Sequence, residues 1–140
     1  MLFLILKISL FIELPHKAPT ISTDVNMKEY EVGDLLELNC TSEPSHPPSQ
    51  LSWQMNKLPV DEDNVIFRET VHNGKKLYVT RIGLRIRLTR DHFHWGKLKV
   101  ACVAQIKAVF WSKGVENIFV ENPETHFQVL ESMEGYWIGN

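Results

Sequence analysis

Apolar and polar residues alternate with a period of two in four separate segments of the chain. The apolar positions are Leu36, Leu38 and Cys40; Leu51, Trp53 and Met55; Leu84, Ile86 and Leu88; and Leu98, Val100, Cys102 and Ala104. Charged residues such as Arg85, Arg87 and Lys99 occupy alternate positions in the last two segments. Because successive side chains of a β-strand point to opposite faces, each segment predicts a strand with one buried face. Four such strands indicate an all-β domain.

The two cysteines of the chain both fall on predicted buried faces. Cys40 and Cys102 lie 62 residues apart, and Trp53 follows the first by 13 residues. This spacing is typical of an immunoglobulin-like antiparallel β-sandwich, in which the cysteines bridge the two sheets and the tryptophan packs against their sulfurs. We therefore expect one inter-sheet disulfide, Cys40–Cys102, with Trp53 as a core anchor. The alternative is two buried free thiols in a cytosolic protein.

Weaker signals complete the domain. We expect short strands at Pro19–Thr23, Val65–Phe67 and Val115–Val120, and a hairpin turn at Asn73-Gly74. The segment Thr89–Gly96 should cross between the two sheets. The immunoglobulin-like domain is thus expected to span residues 14–122, and residues 123–140 form a C-terminal tail without clear periodicity.

The N-terminal residues 1–13 are mostly apolar, and the run Met1–Leu14 is too short to span a bilayer. It has about the length of a signal-peptide core, but Lys7 lies inside the run and no small-x-small cleavage site follows. Three interpretations stay open: an atypical signal sequence, a signal anchor, or sequence that does not belong to the mature protein. An inter-sheet disulfide predicts the secretory pathway and an extracellular or cell-surface location.

Composition argues for one soluble domain and against several classes of function. The 140 residues are 44% hydrophobic and 23% charged, with a net charge of −2, so the whole protein has no attraction to nucleic acid. No nucleophile elbow, phosphate loop, zinc signature or dinucleotide motif occurs, and the carboxylates have no obvious catalytic pairing. We predict a binding domain with no catalytic residues and no cofactor.

Two local patterns suggest modification or metal binding. Asn39-Cys40-Thr41 is a glycosylation sequon, and alternation points Asn39 outward, although its middle residue is the predicted disulfide cysteine. His92 and His94 offer two imidazoles, but no third ligand lies near them. We therefore predict no metal site, and interpret this segment as a solvated loop with Phe93 tucked beneath it.

Basic residues are concentrated in the second half of the chain. They are Arg81, Arg85, Arg87, Arg90, Lys97 and Lys99. Together they suggest a patch for heparan sulfate or another polyanion. In an immunoglobulin sandwich, however, outward Arg85 and Arg87 face away from outward Lys99, so a solvated charged face is the competing interpretation.

A surface for a protein partner is predicted where the last two strands meet. Phe110 and Trp111 are aromatic residues in this connection, and exposed aromatics are frequent interface anchors. Outward residues of the neighbouring strands, Gln54, Lys99 and Gln105, would extend the surface. The alternative is that the two aromatic residues cover the end of the core.

Several motifs occur together along the chain. They are Gly33–Ser42, Ser45–Pro48, Leu51–Asn56, Gly83–Leu88 with His92-Phe93, Gly96–Ala104, and Phe110-Trp111. Over roughly Leu14 to Val120 the chain thereby resembles the second immunoglobulin domain of the beaten path family. One departure is Val100, which stands where many immunoglobulin domains place a tyrosine two residues before the second cysteine.

The resemblance implies a function and a partner. The family consists of arthropod cell-surface and secreted proteins with two immunoglobulin domains, which act in axon guidance by binding sidestep-type receptors. We therefore expect a heterophilic adhesion role, with membrane attachment only through a missing or N-terminal anchor. The family's first immunoglobulin domain is absent, and Met1–Ile12 stand in its place, which suggests an incomplete gene model. The alternative is a structural spacer domain that contacts no ligand.

Overall fold

The computed structural model describes residues 11–23 and 29–122 of the chain. Most of the N-terminal apolar run and the whole predicted tail, residues 123–140, lie outside the described residues. The strands are β1 (Thr20–Ser22), β2 (Glu29–Tyr30), β3 (Leu35–Thr41), β4 (Gln50–Met55), β5 (Leu58–Pro59), β6 (Val65–His72), β7 (Tyr78–Arg87), β8 (Lys97–Ile106) and β9 (Trp111–Glu121). Short 3-10 helices occupy Glu62–Asn64, Arg90–His92 and Lys107–Val109. None of the helices among the described residues could span a lipid bilayer.

The strands form two sheets. One has the order β1-β3-β7-β6, and the other has the order β2-β9-β8-β4-β5. Every strand pair is antiparallel except the short pairing of β2 with β9. The two sheets bury their inner faces against each other, so the predicted all-β sandwich is confirmed.

The alternating residues of the four main strands fill the core. Leu36, Leu84, Leu98 and Val100 have no exposed surface, and the other predicted inward residues are buried except Ile86, which is partly buried. Cys40 of β3 and Cys102 of β8 form the predicted disulfide between the sheets, with their Cα atoms 6.5 Å apart.

Trp53 lies directly opposite Cys102 in the pairing of β4 with β8, and its side chain is 3% exposed. The tryptophan therefore packs in the core beside the disulfide, as the cysteine and tryptophan spacing predicts.

The edges of the sheets differ from the prediction. β6 continues to His72, well beyond the expected end at Phe67, because it pairs with β7 along its length. β9 begins at Trp111, four residues before the expected start at Val115, because it pairs with β8 from end to end. The short strands β2 and β5 were not predicted. In all four cases main-chain hydrogen bonds define the strand, and these bonds leave no hydrophobic period in the sequence.

Two tight turns lie together at one end of the five-stranded sheet. Asn56 and Lys57, with φ angles of 50° and 69°, connect β4 to β5. Trp95 and Gly96, with φ angles of 55° and 75°, lead into β8. Two successive positive φ angles are those of type I′ hairpin turns. Asn56 donates its backbone N–H to the carbonyl of Lys99 at 2.8 Å, so the first turn is fixed against the start of β8.

Candidate partner-binding surface

Gln54, Lys99 and Gln105 lie on one surface, the outer face of the five-stranded sheet. Each of them alternates along its strand with residues that are buried against the other sheet. In the strand register Gln105 is directly opposite Gln50, and Gln54 is directly opposite Ala101. The structure therefore places these three predicted residues on the same face.

The centre of this face carries small, uncharged side chains, and Glu116 of β9 lies at its margin, opposite Ala101. Ser52 lies opposite Val103, which in turn lies opposite Gly114, so small side chains follow one another across three strands. Placing this face against another protein would desolvate few polar or charged groups at its centre. Interfaces of this kind have a core depleted of charge and a polar rim, which the glutamines would supply here.

The structure separates the two aromatic residues that the sequence groups together. Phe110 is 98% exposed and has a left-handed backbone, with φ of 55°, at the end of the last 3-10 helix. Trp111 is directly opposite buried Ile106 and packs partly buried against the core. Trp111 thus covers the end of the core, and of the two only Phe110 is fully available to a partner.

Comparison with solved structures identifies the fold. Rst D1-D2 superimposes with a TM-score of 0.63 at 18% identity, and the match covers 79% of this chain and 51% of that one. The full ectodomain of mouse nectin-like molecule 4 matches with a TM-score of 0.61 at 22% identity, over 79% and 35% of the two chains. The chain has an immunoglobulin fold.

A third structure, bovine butyrophilin, matches this immunoglobulin domain with a TM-score of 0.57 at 22% identity, over 76% of this chain and 44% of that one. The chain spans about half or less of the length of these three structures. No family model and no curated protein matches the sequence. At these identities the similarity establishes the fold, and function has to be argued from the surface.

One exposed aromatic residue of the immunoglobulin domain was missed by the sequence reasoning. Trp95 is 101% exposed in the turn before β8, a segment that the sequence predicts only as a crossover. Tryptophan followed by glycine, directly before a strand of alternating residues, was a signal for a tight turn with an outward side chain. Ile118 on β9 is also half exposed on the same sheet.

The histidine segment closes a turn. The backbone N–H of Thr89 donates to Nδ1 of His92 at 2.8 Å, which caps the 3-10 helix Arg90–His92. Phe93 is buried, as predicted, and the side chain of His94 is exposed. Among residues 11–23 and 29–122, no group of three or more histidine, cysteine or acidic side chains is placed to hold a metal ion. His92 therefore acts as a hydrogen-bond acceptor within the turn.

This hydrogen bond predicts a pH dependence of stability. Burial lowers the pKa of His92, and nearby Asp91 opposes the change. The unfolded chain therefore binds this proton more strongly than the folded domain does. The contribution of His92 to the stability of the folded domain is complete above the pKa of histidine in the unfolded chain, about 6.5, and is lost as the pH falls below that value. We expect the free energy of unfolding, measured with urea, to decrease from about pH 7.5 to about pH 5.

The variant His92→Gln tests the cause, because a glutamine oxygen can accept the same N–H without titrating. This variant should lose less stability than the wild type over the same pH range. His94→Gln removes an exposed histidine two residues away and should leave the wild-type dependence in place. An unchanged pH dependence in His92→Gln would contradict the prediction.

The predicted arginine patch is largely neutralised by local partners. Arg81 pairs with Glu69 at 2.9 Å and Arg85 pairs with Glu37 at 3.1 Å. Arg87 donates to the backbone carbonyl of Gly33 at 2.7 Å. These arginines lie on β7 in the four-stranded sheet, whereas Lys97 and Lys99 lie on β8 in the other sheet, so the six basic residues do not form one patch.

Asn39 lies on the outer face of the four-stranded sheet. It is half-buried on β3, between Ser22 of β1 and Gly83 of β7. The side chains of Phe67 and Ile66 pack over Gly83, and Cys40 beside Asn39 forms the disulfide. Glycosylation of Asn39 stays a prediction.

Proposed function

We propose that this chain is a non-catalytic extracellular immunoglobulin domain of a neuronal recognition protein that binds a protein partner. The partner surface comprises the outer face of the five-stranded sheet, with Gln54, Lys99 and Gln105, and Phe110 at its end. The observation that carries this proposal is the row of small, uncharged residues across the centre of that face, Ser52, Val103 and Gly114, with fully exposed Phe110 at the end of the sheet. Exposed aromatic side chains next to desolvated flat surfaces are typical binding hot spots.

The disulfide and the similar structures support the extracellular location. Disulfides between buried strands persist in oxidising compartments and are rare in the cytosol. The matched structure of mouse nectin-like molecule 4 is an ectodomain built of immunoglobulin domains. These observations favour a secreted or cell-surface protein.

The resemblance to the beaten path family supports the identity of the partner. Its motifs cover both cysteine strands, the tryptophan strand and the Phe110 turn, which are the elements that build the proposed surface. We therefore propose a sidestep-type receptor as the partner and heterophilic adhesion in axon guidance as the role. The proposed domain spans about residues 14–122. Just before it, Glu13 exchanges two main-chain hydrogen bonds with His46.

Binding of the full chain to a sidestep-type ectodomain, measured by biolayer interferometry, tests the proposal. Phe110→Ala should weaken binding about fivefold or more, because it removes the exposed anchor. Ala101→Glu should weaken binding at least about tenfold, because it adds a second carboxylate beside Glu116 and desolvating this pair against a partner is costly. Arg85→Ala, on the outer face of the opposite sheet, is the control and should leave the affinity within about twofold.

The outcomes separate two functions. Loss of binding in Phe110→Ala and Ala101→Glu, with Arg85→Ala unaffected, supports the proposed surface. A folded wild-type protein that binds no sidestep-type ectodomain would instead favour the structural spacer. Equal losses of affinity in all three variants would mean that the substitutions destabilise the domain. Thermal unfolding of each variant would show this.

A further inference from the structure

A second feature of the five-stranded sheet is a groove at the end far from Phe110. It has a volume of about 390 Å³ and opens between the Asn56-Lys57 turn and the Trp95-Gly96 turn. β8 has ten residues and separates this end of the face from the Phe110 turn by about 30 Å. Lys99 lies both in this groove and on the surface proposed above, whereas Phe110 and Gln105 lie at the other end of β8.

The groove carries concentrated positive charge. Lys57, Lys97 and Lys99 all line it, and no carboxylate of the described residues does. On this face Glu116 lies opposite Ala101, two positions along β8 from Lys99, and none of the ion pairs of the described part involves the three lysines. The ammonium groups are thus available to an anionic ligand, although the whole protein has a net charge of −2.

A larger cavity among the described residues differs in this respect. It measures about 480 Å³ and lies between β4 and β6, with Arg68 and Arg81 in its wall. Arg68 donates to the carbonyl of Leu51 at 2.9 Å and pairs with Glu62 at 2.7 Å. Arg81 is held by Glu69, so the arginines of this cavity are already satisfied, in contrast to the lysines of the groove.

Trp95 presents its indole at the edge of the groove. His94 and Lys97 exchange two main-chain hydrogen bonds, of 2.7 and 3.0 Å, which close the turn and hold the tryptophan side chain in solvent. Its left-handed backbone costs about 1–2 kcal/mol relative to a residue such as glycine, and type I′ turns prefer asparagine there. A large aromatic side chain that is both strained and fully exposed points to a binding role.

The amide of Asn56 fixes the floor of the groove. Its Nδ2 donates to the carbonyl of His92 at 2.8 Å, and its Oδ1 accepts from the N–H of Lys99 at 3.1 Å. These bonds connect both turns, so the lysines are held on a preorganised frame.

We propose that the groove binds a sulfated polysaccharide of the glycosaminoglycan type. Its anionic groups would contact Lys57, Lys97 and Lys99, and a sugar ring would lie against the indole of Trp95. Lysines act as separate point charges, which suits a chain of spaced sulfates better than the planar, bidentate recognition that arginine provides. The open shape of the groove at a sheet end also allows a long polymer to continue past it.

Binding of the full chain to heparin oligosaccharides, measured at several salt concentrations, tests this proposal. Trp95→Asn is the key variant, because Asn-Gly is a preferred type I′ turn and should keep or raise thermal stability. We expect it to weaken heparin binding about fivefold. Lys57→Gln with Lys97→Gln should weaken binding about tenfold and make its salt dependence shallower.

The control is Arg85→Gln with Arg87→Gln, which removes the same charge from the opposite sheet. It should change heparin affinity less than about twofold, because these arginines have local partners. Equal losses in the lysine and arginine pairs, or full heparin binding by Trp95→Asn, would overturn the proposal. So would equal affinity for poly-glutamate or for desulfated heparin.

Different variants test the protein-partner proposal and the polysaccharide proposal, so one can be wrong while the other holds. Trp95→Asn should bind a sidestep-type ectodomain as the wild type does, because Trp95 lies at the opposite end of the sheet from Phe110. Phe110→Ala should bind heparin normally for the same reason.

Discussion

Replacing Cys40 and Cys102 together with alanine is expected to lower the free energy of unfolding by about 4 kcal/mol. The disulfide closes a loop of 62 residues, so its removal gives the unfolded chain much more conformational freedom. It also links β3 and β8, which belong to different sheets and share no main-chain pairing. Urea unfolding followed by far-UV circular dichroism measures the change.

The wild-type protein in a strong reductant is the matched control, because it loses the same bond without a change of side chain. It should approach the stability of the double alanine variant. Small domains have total stabilities of about 5–15 kcal/mol, so either form should unfold at much lower urea. A loss below about 1 kcal/mol in both would show that the packing of the two sheets holds the sandwich without the bond.

Trp53→Ala is expected to lower the free energy of unfolding by about 3–5 kcal/mol. The indole is 3% exposed and lies opposite Cys102, so its removal leaves a cavity beside the disulfide. The indole Nε1 is buried without a hydrogen-bond partner in the described part of the chain. Stability here therefore depends on the volume and packing of the ring. The same urea experiment provides the measurement.

The variant Trp53→Phe distinguishes the effect of the ring volume from the effect of the indole N–H. It retains most of the ring volume and removes the unpaired N–H, so we expect a loss of only about 1–2 kcal/mol. If phenylalanine destabilises the domain as much as alanine does, a specific interaction of the N–H is lost in both variants. That result would contradict the packing explanation.

The two proposed sites share one sheet face but use different chemistry. The end near Phe110 offers an apolar anchor beside an uncharged surface, and the end near Trp95 offers lysines beside an exposed indole. About 30 Å separates Phe110 from the groove, but Lys99 belongs to both proposed sites.

The two aromatic residues of the last turn show what the sequence pattern leaves undetermined. Phe110 and Trp111 are adjacent aromatic residues that the sequence does not distinguish. Phe110 is nevertheless 98% exposed, whereas Trp111 packs against the core. Strand register decides this, because Trp111 pairs with buried Ile106 whereas Phe110 precedes the strand. Likewise, the arginines of β7 look free in the sequence and find acidic partners only when β3 and β6 are placed beside them.

The sequence by itself determined the immunoglobulin sandwich, its disulfide and the buried face of each main strand. Burial of one face imposes a period of two on the residues, and this period can be read directly. Only the tertiary structure decided the lengths of β6 and β9, the burial of Trp111 and the groove of lysines beside Trp95. These features depend on main-chain pairing and on which surface residues meet across strands, and neither leaves a periodic pattern along the chain.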